Sequence, residues 1–167
     1  NLSPTAAGSG GADFNRTRIL GNTCVGFETG IYLPGTGALG FPSAQILGNY
    51  VSTSGTIGTG IHLENANTSI VSQNRVVGHL KGININASSA GVILSSNNIS
   101  DLNTANTAAI SCIYVIGNRP VVTDNICSQG TGGHAKYGLT LNATVDATIH
   151  GNKWIAMETG DLNLLNT

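Results

Sequence analysis

One short phrase occurs six times along this chain of 167 residues. Each copy has an asparagine, an apolar residue three positions before it and another apolar residue two positions after it. The asparagines are Asn22, Asn49, Asn74, Asn97, Asn125 and Asn152. They lie 27, 25, 23, 28 and 27 residues apart. This period predicts a repeat architecture, because a unit of about 25 residues cannot bury its own apolar face and must stack on its neighbours.

A second phrase lies between the asparagines, and its apolar residues alternate with others as they do in a half-buried strand. Its copies are GIYL from Gly30, GIHL from Gly60, GINI from Gly82, AISCIYV over 109–115 and GLTL from Gly138. The register of AISCIYV is open, and we take Ile113 and Val115 as its inward pair. Each repeat is therefore predicted to be one coil with at least two short strands, about 4.8 Å from the next coil.

The asparagine is predicted to fill the same bend in every coil. A coil of strands must turn sharply without a hairpin, and asparagine tolerates a left-handed φ. Its side chain can also bond to the backbone of the next coil. The apolar residues on either side would then form columns of Ile, Val and Leu inside the stack.

Composition fits a stack of short strands and excludes several functions. Hydrophobic residues make up 40% of the chain and charged residues only 9%, against about 25% in typical globular proteins. Because the net charge is −1 and there is no basic run, we expect no binding to nucleic acid. The apolar runs are much shorter than the roughly 20 residues that span a bilayer, so we expect no membrane insertion.

The cysteines and histidines give no framework of cross-links or metals. Cys24, Cys112 and Cys127 are an odd number, which argues against a closed set of disulfides. We expect them to be small buried residues with free thiols. The four histidines show no metal-ligand spacing, so we predict no metal and no cofactor.

The phrases ILGN, VSQNRV, LSSNNIS and GI-x-L resemble those of the right-handed parallel β-helix of the pectate-lyase-like superfamily, over Ile19 to Ile155. The resemblance implies an all-β fold, a right-handed single-stranded parallel β-helix (a solenoid) of about six coils. We expect residues 1–17 to be a linker or N-terminal edge, residues 18–156 the β-helix, and residues 157–167 a C-terminal tail or cap. The opening stretch NLSPTAAGSGGADFN suggests a piece of a longer chain.

The resemblance implies that one outer face acts on, or holds, an acidic or surface polysaccharide. Members of the superfamily include pectate lyases, polygalacturonases, alginate epimerases, surface adhesins and the tailspikes of bacterial viruses. The NTD, DD and GHG signatures of polygalacturonases and the DPH signature of alginate epimerases are absent from this chain. None of the eight acidic residues forms an Asp-x-Asp pair. The catalytic residues therefore stay unknown.

Three residues are weak catalytic candidates. His62 and Glu64 of GIHLEN should point outward together and could serve as a base and its orienting partner. Asp124 replaces the Gly48, Gln73 and Ser96 of other repeats and should face solvent. The alternative for all three candidates is an ordinary solvated surface.

The outward position of the second phrase predicts a carbohydrate-binding row. Its residues are Tyr32, His62, Asn84, Tyr114 and Thr140. Aromatic rings stack on sugar rings, and amides bond to hydroxyls. The alternative is an ordinary exposed strand, which also favours Tyr and Thr.

The first functional hypothesis is a tailspike or tail-fibre segment in a virion tail. It would be a homotrimer that binds host surface polysaccharide, with or without degrading it. It would contact other tail proteins. Free thiols would suit assembly in a reducing cytoplasm, and uncharged surfaces would suit side-by-side packing of subunits. The second hypothesis is a secreted, monomeric polysaccharide lyase, hydrolase or epimerase. The third is a non-catalytic adhesin module on a bacterial cell surface.

Overall fold

The structure, a computed structural model, describes residues 16–35, 42–54, 57–102, 111–130 and 132–165, without the side chains of residues 87 and 88. These ranges contain 18 strands and no helix. The first three coils contain β1 (Arg18–Leu20), β2 (Thr23–Val25), β3 (Thr29–Leu33), β4 (Gln45–Leu47), β5 (Tyr50–Ser52), β6 (Thr59–Glu64), β7 (Ile70–Ser72), β8 (Arg75–Val77) and β9 (Lys81–Ala90). The last three contain β10 (Ile93–Ser95), β11 (Asn98–Ser100), β12 (Ser111–Asn118), β13 (Val121–Thr123), β14 (Ile126–Ser128), β15 (Tyr137–Asn142), β16 (Thr148–His150), β17 (Lys153–Ile155) and β18 (Gly160–Leu165).

The strands form three parallel sheets of six strands each, one from each position in the coil. Sheet 1 holds the first strand of every coil, sheet 2 the second and sheet 3 the third. The chain crosses each sheet six times, so five full turns separate the first and last strands of a sheet. The prediction of an all-β, single-stranded parallel solenoid is confirmed. The segment 157–167, for which the sequence suggests a tail or cap, includes β18, the sixth strand of sheet 3.

The core consists of inward columns of aliphatic side chains. In sheet 1 the column contains Ile19, Ile46, Val71, Leu94, Val122 and Ile149, which pair in register. All but Ile149 of the last coil are buried. In sheet 3, Leu139 is buried, whereas Leu162 in the next coil is 45% exposed. Trp154 packs partly buried against the core in the same last coil. The aliphatic columns are therefore buried in the earlier coils and more exposed in the last described coil.

The asparagines form a continuous ladder of hydrogen bonds along the axis. Asn97 shows the pattern: its backbone N and Nδ2 donate to Asn125 Oδ1 at 3.0 and 2.9 Å. Its Oδ1 accepts from the backbone N and Nδ2 of Asn74, both at 3.0 Å. Its Nδ2 also donates to the Val71 carbonyl at 2.9 Å. Because each amide is used on both sides, the asparagines of the inner coils can be buried without an unpaired polar group.

The left-handed conformation lies one residue earlier than predicted. The residue before each asparagine has a φ between 54° and 67°, and the asparagine itself does not have a positive φ. These preceding residues are Gly21, Gly48, Gln73, Ser96, Asp124 and Gly151. The asparagine side chain must lie inside the corner to form the hydrogen-bond ladder. The residue before it, on the outside of the corner, therefore adopts the left-handed φ that turns the chain.

Glycine begins the strand phrase because its position faces a large side chain of the next coil. A Cβ on Gly60 would overlap Val76 Cγ1, and a Cβ on Gly82 would lie 2.7 Å from Ile99 Cγ2. In the fourth coil, Cys112 takes this glycine position and faces Cys127. The small residue that begins each of these strands in sheet 3 therefore packs against one side chain of sheet 2 in the following coil.

The expectation of three free thiols is wrong. Cys112 and Cys127 form a disulfide with a Cα–Cα distance of 6.3 Å, which is within the usual range for the bond. Both cysteines are fully buried, and Gln129 Nε2 lies 3.4 Å from Cys112 Sγ. Cys24 is the free cysteine of the described residues. The disulfide joins the fourth coil to the fifth.

Candidate functional site

The outer face of sheet 3 carries polar and aromatic side chains in one row, because alternate residues of each strand point outward. The central row contains Tyr32, His62, Asn84, Tyr114, Thr140 and Asn163, each paired in register with the next. On one side lies the lysine flank, which we define as Lys81, Ser111 and Tyr137, each three residues before a member of the central row. Glu64 lies on the other side, two residues after His62.

The first coils hold a cluster of three titratable side chains. The rings of Tyr32 and His62 are 5.0 Å apart between centroids, and His62 Nε2 is 3.6 Å from Glu64 Oε1. The backbone N of Gly35 donates to Glu64 Oε2 at 3.2 Å and so helps to orient the carboxylate. Burial lowers the pKa of His62, although the Glu64 charge opposes this effect. Burial and then the Glu64 charge raise the pKa of Tyr32. The imidazole is therefore neutral near pH 7 and the phenol is protonated.

An unpaired amide oxygen lies in the middle of the central row. Asn84 is only 6% exposed, and its Oδ1 has no hydrogen-bond donor in the described part of the chain. A buried acceptor without a donor destabilises a protein by about 1–3 kcal/mol. Because this oxygen is itself buried, it can accept a hydrogen bond from a ligand only after the Asn84 side chain turns outward.

A groove with a volume of about 300 Å³ lies over the later coils of the same face. Its lining residues are Lys81, Ser111, Tyr114, Tyr137, Thr140, Asn163 and Leu165. The Ser111 and Thr140 hydroxyls bond to each other, and Asn163 Nδ2 donates to Thr140 Oγ1 at 3.4 Å. Asn142 Nδ2 donates to the Tyr114 hydroxyl at 2.7 Å and fixes that ring. The groove thus combines two aromatic rings, several hydroxyl groups, one amide, one leucine and one lysine.

A protein-family model described as a right-handed beta helix region matches residues 7–154 of the chain. The chain belongs to the right-handed β-helix family. Searches of curated proteins and of solved structures give no significant match. The family agrees with the parallel sheets and supplies the predicted hand of the coil, while the family description says nothing of a substrate.

The β-helix brings together the five residues predicted for a carbohydrate-binding row. His62 and Glu64 lie together on this face as expected. Asp124 does not join them, because it occupies an exposed corner between sheets 1 and 2, where its φ is 57°. It faces solvent, as the sequence suggests.

Several residues of the face escaped the sequence reasoning. Asn163 belongs to a sixth copy of the strand phrase, DLNL, in which Asp161 takes the glycine position. The lysine flank always precedes that position, as Lys81 precedes Gly82 and Tyr137 precedes Gly138. Aligning the strand phrase over all six coils is enough to identify both the sixth copy and the lysine flank.

Other charged groups of the β-helix do not form a comparable site. At the last coils, Glu158 accepts hydrogen bonds from Lys136 and His134 in an exposed cluster, and these two bonds lower the pKa of its carboxyl group. In the described ranges, no three His, Cys, Asp or Glu residues are placed to hold a metal ion. Over the same ranges no helix is long and apolar enough to cross a membrane.

Proposed function

We propose that this β-helix binds a polysaccharide along the outer face of sheet 3. The observation that carries the proposal is the central row, in which six ring, amide and hydroxyl side chains lie in register on successive coils. Successive members are about 4.8 Å apart, the spacing of neighbouring strands. A long, regular ligand with repeated rings and hydroxyls matches such a surface better than a compact small molecule does.

The residues of the row have distinct tasks in this proposal. Tyr32 and Tyr114 offer ring faces to the apolar faces of sugar rings. Asn84 turns outward on binding, so that its Oδ1, buried without a donor in the free chain, accepts a hydrogen bond from a sugar hydroxyl. Ser111 and Asn163 both bond to Thr140, which fixes the Asn163 amide at the edge of the groove for the ligand.

The biological setting that we propose is a tailspike or tail-fibre segment, a homotrimer in a virion tail that binds host surface polysaccharide and contacts other tail proteins. The low content of charged residues supports side-by-side packing of subunits, since burying unpaired charges is costly. The Cys112–Cys127 disulfide supports a final location outside a reducing cytoplasm, as on a virion or a cell surface. A secreted enzyme and a non-catalytic surface adhesin are the alternatives.

A second candidate function, degradation of the bound glycan, is favoured by the cluster of Tyr32, His62 and Glu64. A neutral imidazole beside an oriented carboxylate can act as a general base. The arrangement suits abstraction of a proton better than hydrolysis, which needs two carboxyl groups on either side of one bond. His62 would take the proton from the carbon beside a sugar carboxylate, and the glycosidic C–O bond would break as the C=C bond forms. The protonated Tyr32 phenol would give a proton to the leaving oxygen. Glu64, 3.6 Å from His62 Nε2, would orient the ring through its charge.

Binding is tested with the variants Tyr32→Ala and Tyr114→Ala against a panel of bacterial surface polysaccharides. Each ring should contribute about 0.5–1.5 kcal/mol, so each variant should bind roughly two- to tenfold more weakly. The melting temperature should change little. Tyr50→Ala is the matched control, because Tyr50 lies on sheet 2 and is 36% exposed there. Unchanged binding in both test variants would reject the central row as the binding face.

Two further measurements separate the settings. Incubation with the same panel should release new reducing or unsaturated ends if the β-helix degrades its ligand, and His62→Gln should abolish them. No product from any polymer would reject the catalytic version and leave binding intact. Light scattering should give the mass of three chains for a tailspike segment, and a single chain would count against that setting.

A further inference from the structure

The outer face of sheet 3 has opposite charges on its two sides. Outside the central row, its six strands contain three charged residues: Glu64, Lys81 and Asp161. Asp161 takes the glycine position of the last coil and does not line the groove. Lys81 lines the groove, is exposed and forms no ion pair with any described residue. The groove therefore has one cation and no carboxylate among its lining residues.

Lysine carries a compact point charge with three donors, which suits a single anionic group beside hydroxyl groups. Ser111 and Tyr137 lie on the same flank, so a sugar in the groove would turn one edge toward these three side chains. Its ring would lie toward Tyr114 and Thr140 of the central row. A carboxylate on that edge would find the ammonium group of Lys81.

Glu64 gives the face its second constraint. It lies on the opposite side of the central row and in the coil before Lys81, with its carboxylate held near His62 and the Gly35 amide. A polymer with a carboxylate on every sugar would place negative charge near Glu64 as well as near Lys81. Like charges so placed repel each other, and partial burial strengthens the repulsion.

We propose that the groove beside Lys81 binds the acidic sugar of a heteropolysaccharide whose carboxylate-bearing residues are separated by neutral ones. The proposal rests on the proposed glycan-binding function and names the substrate class for it. Lys81 pairs with the carboxylate, the lysine flank and central row hold the sugar ring, and neutral sugars occupy the coils near Glu64. The inference therefore deepens the binding function and excludes proton abstraction from an acidic sugar at His62. A uniform polyuronate is a poor ligand for this face.

The test uses the whole chain and bacterial exopolysaccharides with one uronate per repeat unit, each beside the same polymer after chemical reduction of its carboxyl groups to alcohols. At low salt the acidic form should bind about two- to fivefold more tightly than its reduced form, the range for one exposed charged contact. Lys81→Gln should lower binding of the acidic form to that of the reduced form. Lys153→Gln, which removes an exposed lysine from sheet 2, should leave the difference unchanged.

The outcomes separate this inference from the proposed function. Equal binding of the acidic and reduced polymers to the unaltered chain overturns the inference and leaves glycan binding standing. An equal loss for both polymers in Lys81→Gln also overturns it, because Lys81 would then act without reading charge. Tighter binding of polygalacturonate than of every heteropolymer overturns the requirement for spaced charges. No binding to any polymer rejects both the inference and the proposed function.

Discussion

Replacing Asn97 by alanine removes one rung of the asparagine ladder and should destabilise the fold strongly. The backbone N and Nδ2 of Asn74 both donate to Asn97 Oδ1 at 3.0 Å. The backbone N loses its acceptor, whereas Nδ2 keeps the Ile46 and Ser72 carbonyls at 2.8 and 3.0 Å. Asn97 Nδ2 also stops donating to Asn125 Oδ1 and to the Val71 carbonyl. Each buried donor left unpaired should reduce the free energy of unfolding by about 1–3 kcal/mol. One unpaired donor and the net loss of about 1 kcal/mol for a further hydrogen bond give an expected loss of about 2–4 kcal/mol. This is a large part of the roughly 5–15 kcal/mol of a typical domain.

Urea denaturation followed by circular dichroism measures the change in the free energy of unfolding. Asn98→Ala is the matched control, because Asn98 is the next residue and its side chain is exposed on β11. Surface substitutions of this kind usually change stability by about 0.5 kcal/mol or less. If Asn97→Ala destabilises the chain no more than Asn98→Ala does, the ladder is not a main source of stability and the reasoning fails.

Three other predictions concern the interior. The double variant Cys112→Gly, Cys127→Val recreates the glycine–valine pair of other coils, so circular dichroism should show an intact fold. Its free energy of unfolding should be about 3 kcal/mol lower, the effect of losing a cross-link of this loop length. Stability equal to that of the oxidised chain would contradict the disulfide. Gly60→Ala should lower the free energy of unfolding by about 1–3 kcal/mol, because the new Cβ overlaps Val76. In a double-mutant cycle, Val76→Ala should restore part of that loss. Additive effects of the two substitutions would refute the contact between Gly60 and Val76. Burial lowers the pKa of His79. Below about pH 6.5 the imidazole is therefore protonated in the unfolded chain before it is protonated in the folded chain. The melting temperature should fall as the pH drops through this range. His79→Gln should flatten that dependence, and an equally steep one would assign it to other groups.

The parts of the fold that repeat in sequence could be predicted, and the parts that depend on contacts between coils could not. The six asparagines and the strand phrase fixed the coils, the inward columns and most of the central row, because each coil repeats the same alternation. The disulfide depends on sheet 3 of one coil meeting sheet 2 of the next, and the spacing of Cys112 and Cys127 does not show that contact. Lys81 became a candidate only when the groove placed it beside Tyr114 and Tyr137.

The turn before each asparagine has a consequence for measuring the molecule. Gln73, Ser96 and Asp124 differ in chemistry, yet each occupies the same outer corner with a similar φ. Between 23 and 28 residues separate these corners along the chain, but each step along the axis is set by strand spacing, at about 4.8 Å. Probes attached at two such corners would therefore read distances in whole multiples of one step, whatever the length of the intervening loops. The distance between two corners therefore depends on the number of coils between them and not on the number of residues.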